Sequence, residues 1–279
     1  MGFDVSWHPI SQREMVQWYF DPLERARAGD LSPVRALAEE YQLGRAAGYE
    51  DVCRERYVEM METAAAVGPE ESFDKTHSFI LAAVQGLFRT YYYTRGGLYS
   101  NLVQIPEMAA YTLPFEKILG ERLKNPVRNR ITENYSGGVY IPEDQVPRLL
   151  ADCESGAARG PLEQVFGNTL PVFLKALNHA KREGLGLLEA TEVVEPNPLD
   201  IQSTTCRSYL MNCDFDGVAV YVETAKRQIE EAIRAQGGDP SAPVTRVVQH
   251  VDVPPDPPAR KPPAKKKGLL GRLFGGERE

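Results

Sequence analysis

The chain has 279 residues, of which 42% are hydrophobic and 25% charged, a composition typical of a globular protein large enough to bury a core. Residues 254–279 carry seven Lys or Arg and three Asp or Glu, whereas residues 1–253 carry 25 basic and 36 acidic side chains. This acidic body argues against a nucleic-acid-binding core, because phosphate contacts need clustered cations.

The sequence favours a cytoplasmic protein. The first residues lack the basic region and apolar run of a secretory signal, and no segment reaches the length needed to span a bilayer. The four cysteines lack C-x-x-C spacing and are expected to be buried, reduced thiols. The four histidines lack metal-ligand spacing, so we expect neither a metal nor a cofactor.

The first elements are a short strand and a helix. Apolar and polar residues alternate over 3–7, which predicts a strand that ends at His8-Pro9. Ser11 and Glu14 have the spacing of a capping box and begin a helix that Pro22 is expected to bend or end.

Three further helices follow with short connections. Ser32-Pro33 predicts an N-cap followed by proline at the first helical position, and a third helix covers about residues 50–67. The next helix begins at Phe73 and has apolar residues on more than one stripe, so we expect neighbours on several sides. Short connections between these four helices indicate an antiparallel helical array.

The second half of the body mixes helices and short strands. Helices are predicted over 115–123, over 169–183 with Gly184 at the end, and over a segment that Asp144 can cap. Extended segments are predicted near 139–141, 187–194, 204–213 and 244–253. Asp216 is expected to cap a long helix to Gln236 whose apolar face is buried. That face consists of Val218, Tyr221, Val222, Ala225, Ile229 and Ile233.

These patterns predict an α+β fold that is predominantly helical. We expect one compact domain over residues 1–253 and a disordered tail over residues 254–279. Six prolines between 254 and 263 favour polyproline II conformation and exclude a packed fold there.

A run of aromatic residues follows the Phe73 helix and ends at an Arg-Gly-Gly sequence. Tyrosine and arginine often anchor contacts, because they bury a large area and keep a polar end. One interpretation is a partner-binding surface, and the other is a buried aromatic cluster with a glycine turn. The candidate partner-binding residues are Tyr91, Tyr92, Tyr93, Arg95 and Tyr99.

The basic tail has an amphipathic segment. Its apolar residues fall at i, i+1, i+4 and i+5, so one helical turn would place them beside the cations. Such a segment can lie on an anionic membrane or dock into a partner's groove, and the alternative is a solubilising tail. Its residues are Lys265, Lys266, Lys267, Leu269, Leu270, Arg272, Leu273 and Phe274.

The functional hypothesis from sequence is a cytoplasmic binding protein, immunity- or antitoxin-like, whose acidic surface neutralises a basic protein partner. One alternative is an enzyme whose site is assembled around the His8 and 91–99 regions, with His8, Tyr93, Arg95 and Glu133 as candidates. A second alternative is an adaptor at the inner membrane face that uses the basic tail. No enzyme motif and no nucleic-acid partner is expected.

Overall fold

The computed structural model describes residues 3–68, 77–114, 117–118 and 137–241. A five-stranded mixed sheet has the order β3-β4-β1-β2-β7, and its strands are antiparallel except for the pair β2 and β7. Strands β5 and β6 form a separate antiparallel pair. The strands are β1 (Asp4–Ile10), β2 (Tyr91–Arg95), β3 (Gly137–Ile141), β4 (Gly186–Thr191), β5 (Val194–Glu195), β6 (Thr205–Cys206) and β7 (Cys213–Asp214).

Helices cover both faces of this sheet. The described α-helices are α1 (Gln12–Met15), α2 (Asp21–Arg27), α3 (Ser32–Glu40), α4 (Glu50–Ala66), α5 (His77–Phe88), α6 (Pro106–Ala109), α7 (Gln145–Glu154), α8 (Arg159–Phe166), α9 (Leu170–Glu183) and α10 (Asp216–Ala235). A π-helical segment, Val16–Phe20, joins α1 to α2. Short 3-10 helices connect other elements, and the one over Tyr99–Leu102 is referred to below as the 3-10 turn.

The sheet separates two large hydrophobic cores. Helices α1 to α5 pack on one face, where they meet sheet residues such as Ile10 and Leu188. Helices α6 to α9 pack on the other face, against Trp7 and Leu187 among others. Since β1 residues alternate between the two cores, the strand pattern that the sequence shows near its N-terminus serves both layers.

The predicted α+β fold with helices predominating is therefore confirmed. The described residues up to Gly238 form one compact unit. Several predicted segments lie outside the described residues: the helix start at Phe73, most of the helix over 115–123, the extended segment over 244–253 and the tail from 254 onward.

Strand β1 is longer than the sequence predicted, because Pro9 does not end it. Phe3 accepts a hydrogen bond from Gly96 after β2, so odd-numbered residues of β1 turn their backbone groups toward β2. The pairing with β2 stops at Trp7. The next residue of β1 that faces β2 is Pro9, which has no N–H to donate to β2. Pro9 instead pairs with Leu187 of β4, and its missing N–H breaks no ladder bond.

Pro22 also fails to end its helix. Helical backbone continues from α1 through the π-helical segment into α2, and Pro22 lies in the first turn of α2. A proline cannot donate to the carbonyl four residues earlier, which is that of Trp18. The hydroxyl of Tyr57 donates to this oxygen at 2.5 Å, so α4 supplies the hydrogen bond that the proline leaves out.

The capping predictions have mixed outcomes. Ser11 and Glu14 form the predicted capping box. Helix α3 starts one residue earlier than expected, at Ser32, whose N–H and hydroxyl both donate to the carboxylate of Asp30. Asp144 occupies an N-cap position without a side-chain cap bond. Asp216 is the first residue of α10 rather than its cap, because its carboxylate binds Lys175 instead.

Helix α10 is only partly buried, which corrects the prediction of a fully buried face. Val218, near its start, is 4% exposed, but Ile229 is 41% exposed. The first half packs on β2, and nearly all residues from 226 to 235 are solvent-accessible. The apolar periodicity is correct, but it cannot tell how far the neighbouring layer extends along the helix.

Candidate functional site

The outward face of α4 carries a line of exposed carboxylates. Asp51, Glu55, Glu59 and Glu62 are all exposed, and their spacing of four, four and three residues places them on one face of the helix. The opposite face enters the core and consists of Cys53, Tyr57, Met60, Met61 and Ala64. Helix α4 therefore has a buried apolar face and an acidic solvent face.

Helix α3 lies beside α4, and the two helices border a groove of about 480 Å³. This acidic groove contains five carboxylates and two guanidinium groups, and a further part of its wall is apolar. Its lining residues are Arg35, Ala38, Glu39, Asp51, Arg54, Glu55, Val58, Glu59 and Glu62.

Arg54 forms ion pairs with two of the five carboxylates in the acidic groove. Arg54 Nη1 lies 2.7 Å from Glu39 Oε1 and 3.9 Å from Asp51 Oδ1. Within the described ranges, Glu55, Glu59 and Glu62 form no ion pair. Negative charge is consequently concentrated toward the C-terminal half of α4.

This arrangement has an energetic cost in the isolated protein. Each pair of like charges at i and i+4 destabilises a helix by about 0.2–0.5 kcal/mol. A bound cationic surface would replace this repulsion with attraction, and complementary charge also accelerates association. The acidic groove is thus suited to a basic macromolecular partner.

The tyrosines proposed for partner binding lie inside the protein. Tyr91, Tyr92 and Tyr93 occupy β2, with exposures of 0%, 5% and 0%. Their hydroxyls are paired with Cys206 Sγ at 3.3 Å, His179 Nδ1 at 3.0 Å and Asp4 Oδ1 at 2.6 Å, respectively. These contacts favour the buried-cluster interpretation, and the partner-binding role stays a prediction.

Arg95 and Tyr99 flank the glycine pair. Arg95 forms a half-buried ion pair with Asp4, and its guanidinium carbon lies 5.0 Å from the ring centre of Tyr221 in α10. Tyr99 is fully buried, and its hydroxyl donates to the Met108 carbonyl at 3.0 Å. Arg95 therefore ties α10 to the sheet, and Tyr99 ties the 3-10 turn to α6.

His8 is buried in a hydrogen-bonded group on the opposite side of β1 from Trp7. The amide nitrogen of Gln85 donates to the carbonyls of Pro9 and Thr90, so its oxygen is the acceptor that faces His8 Nδ1 at 2.7 Å. Nδ1 must then carry the proton, and Nε2 accepts from the hydroxyl of Ser6 at 2.8 Å. Burial lowers the pKa of His8 to about 4, so the ring is neutral. Both of its nitrogens have hydrogen-bond partners.

The candidate enzyme residues do not form a single hydrogen-bonded group. His8 pairs with Gln85 and Ser6, whereas Tyr93 and Arg95 both engage Asp4. Glu133, the fourth candidate, lies outside the described residues. The enzyme alternative stays a prediction.

A second polar group ties α9 to the start of α10. Lys175 Nζ lies 2.6 Å from Asp214 Oδ2 and 2.5 Å from Asp216 Oδ2. Burial opposes the lysine's charge, but hydrogen bonds to the two carboxylates outweigh this effect and raise the pKa of Lys175 to about 12. A permanently charged lysine is unsuited to nucleophilic chemistry, so this group serves as a tether.

The described ranges show no cluster of three or more His, Cys, Asp or Glu side chains arranged to hold a metal ion. Their helices also include none with the length and apolar character needed to cross a bilayer. The tail residues proposed for membrane or partner docking, from Lys265 to Phe274, lie outside the described residues, and that role stays a prediction.

The acidic body was predictable from composition, but the position of its carboxylate line on α4 was not predicted. The signal was present, since Asp51, Glu55, Glu59 and Glu62 recur at helical spacing on a helix whose opposite face is apolar. Only the pairing of α3 with α4 shows that this line borders a groove. Comparison of the chain with family models, with curated proteins and with solved structures finds no match.

Proposed function

We propose that this protein is a cytoplasmic binding protein that neutralises a basic protein partner in the manner of an immunity protein or antitoxin. The observation that carries the proposal is the acidic groove between α3 and α4. Glu55, Glu59 and Glu62 are exposed there and form no ion pair with another described residue. Net charge and groove shape together suit a protruding cationic segment of the partner.

The partner contact would be driven by electrostatics around an apolar patch. Val58 and Ala38 line the groove between the charged residues, so a lysine or arginine side chain can lay its methylene stem along them. The charged end would then reach the carboxylates. Arginine is favoured over lysine at paired carboxylates, because its planar guanidinium binds them bidentately.

Triple charge reversal tests the proposal. We expect a variant carrying Glu55→Lys, Glu59→Lys and Glu62→Lys to lose capture of a basic protein from native lysate, while its helical circular dichroism is unchanged. The matched control reverses three exposed carboxylates elsewhere, Glu154, Glu195 and Glu223, and should retain capture.

The captured protein must also meet chemical criteria. It should be basic, bind with fixed stoichiometry after purification, and show a dissociation constant that rises with ionic strength. Equal affinity for the groove variant and the wild type would contradict the proposal. Loss of binding in both triple variants would show that binding depends on the net charge of the protein and not on the groove.

A further inference from the structure

Glu189 is a carboxyl group held in the core between the sheet and the 3-10 turn. It lies in β4 with no solvent exposure. Its Oε2 accepts hydrogen bonds from the backbone N–H groups of Tyr99 at 2.5 Å and Ser100 at 3.3 Å. Its Oε1 finds no hydrogen-bond partner in the part of the chain that the structure describes.

The backbone of β3 closes over the stem of this side chain. A Cβ atom at Gly138 would lie 2.5–2.7 Å from the carbonyl oxygen, Cβ and Cγ of Glu189, so the position tolerates only glycine without a shift. The side chain therefore cannot swing toward β3, and the 3-10 turn covers its carboxyl on another side.

The 3-10 turn has a hinge on its N-terminal side. Gly96 and Gly97 precede it with φ angles of 72° and 71°, a conformation that favours glycine. On Gly97, a Cβ would lie 2.8 Å from Phe166 Cδ1, so the hinge packs closely on α8 when the turn is docked. The two glycines can absorb a backbone rotation that would strain other residues.

We propose that Glu189 and the 3-10 turn form a proton-controlled latch, in which the neutral carboxyl keeps the turn docked on the sheet and loss of the proton favours its release. In the docked state the side chain accepts hydrogen bonds from the backbone N–H groups of Tyr99 and Ser100 and has no solvent exposure. An ionised carboxylate in this place retains the two hydrogen bonds but loses its hydration, and opening of the turn restores that hydration.

The groups that face Glu189 from the surrounding elements carry no opposing charge. Trp7 is its cross-strand neighbour on β1, Gly138 covers it from β3, and Tyr99 faces it from the 3-10 turn. Burial raises the pKa of the Tyr99 phenol, which therefore stays neutral. Helices α7 and α9 pack on β4 through apolar side chains and Cys153, and burial raises the pKa of that thiol.

The direction of the latch follows from proton linkage. Burial raises the pKa of Glu189 to about 7 in the docked state, although hydrogen bonds from Ser100, Tyr99 and Val139 oppose this effect. In the open state the hydrated carboxyl returns to its ordinary value of 4.5. The docked state binds the proton more tightly, so docking is fully favoured below pH 4.5 and weakens as the pH rises to 7. Between pH 5 and pH 8 this linkage shifts the opening equilibrium by about 70-fold.

Amide hydrogen exchange of the full chain tests the latch. After correction for intrinsic exchange, protection of the Tyr99 and Ser100 amides should fall by about 70-fold from pH 5 to pH 8. In the Glu189→Gln variant, which cannot ionise, their protection should not change with pH. Amides of α5 serve as the reference and should not follow the same profile.

Three results would overturn the proposal. One is the same pH profile for the Tyr99 and Ser100 amides in the wild type and the variant. Another is an identical fall in α5, which would show global rather than local opening. If the variant does not fold, the carboxyl signal of Glu189 can be titrated in isotopically labelled wild type. A midpoint near 7 that coincides with the loss of protection supports the latch, and a midpoint below 5 contradicts it.

Discussion

His8 and Glu189 are buried titratable side chains on neighbouring strands that respond to pH in opposite directions. Burial lowers the pKa of His8 from 6.5 to about 4, so its contribution to stability is present above 6.5 and is lost as the pH falls to 4. Burial raises the pKa of Glu189 from 4.5 to about 7, so its contribution is present below 4.5 and is lost as the pH rises to 7. The two effects partly cancel over the same interval.

Replacement of Glu189 by Gln should make the pH dependence of stability steeper. The free energy of unfolding of the variant, relative to wild type, should increase by about 3 kcal/mol between pH 4.5 and pH 8, because the ionisation penalty is removed. This difference does not depend on any constant cost of the substitution itself. Urea unfolding at a series of pH values measures it, and parallel curves for the two proteins would refute the assignment.

At the scale of elements, the apolar pattern of α10 continues along the helix beyond the residues that pack against the sheet. Its first turns pack on β2 and its later turns extend beyond the layer beneath them. The residues that share an apolar face therefore make unequal contributions to the free energy of folding. The buried fraction of each side chain, which differs along the helix, decides how much that side chain contributes to stability.

Truncation of two residues on that face distinguishes the halves of α10. Val218→Ala should reduce the free energy of unfolding by about 2 kcal/mol, because buried methyl groups are lost and a small cavity remains. Ile229→Ala should change it by less than about 0.5 kcal/mol, since Ile229 is largely solvated and alanine favours helix. Chemical denaturation measures both, and equal losses would show that the second half is buried in solution.

Elements with strong local signals were predictable from sequence. The capping box at Ser11, the extent of α4 and the end of α9 at Gly184 depend on residues close to one another in the chain. Such features require only the local backbone to satisfy its donors and its apolar face. These predictions were correct because no distant residue changes the local structure.

Features that depend on distant partners were not predictable. The length of β1 at Pro9 depends on where β2 begins, and the continuation past Pro22 depends on the hydroxyl of Tyr57 in α4. The tyrosines of β2 could be interpreted as a partner-binding surface or as a buried cluster. A run of aromatic residues does not show whether helices cover it. Their burial is decided by the layers on both faces of the sheet.

At the scale of the whole molecule, the acidic groove is separated from the elements that maintain the fold. The two large cores lie on either side of the sheet, and the groove borders the solvent face of the outer helices α3 and α4. Composition predicted an acidic body, but the position of the acidic groove depends on the pairing of α3 with α4. Substitutions on the exposed carboxylates should therefore alter binding without opening either core.

A single substitution in the acidic groove separates function from stability. Glu59 lies four residues after Glu55 and three before Glu62, so a lysine at 59 gains two favourable helical pairs. Glu59→Lys should raise the free energy of unfolding by a few tenths of a kcal/mol, about 0.5 at most. Glu154→Lys, on α7, changes the net charge equally and is the control.

The most direct test is the dissociation constant of the captured basic partner for wild type, Glu59→Lys and Glu154→Lys, measured by calorimetry at two ionic strengths. The account predicts that Glu59→Lys weakens binding by roughly tenfold or more while its stability is retained or increased, and that Glu154→Lys binds like wild type. The same affinity for all three proteins would contradict a partner site in the acidic groove.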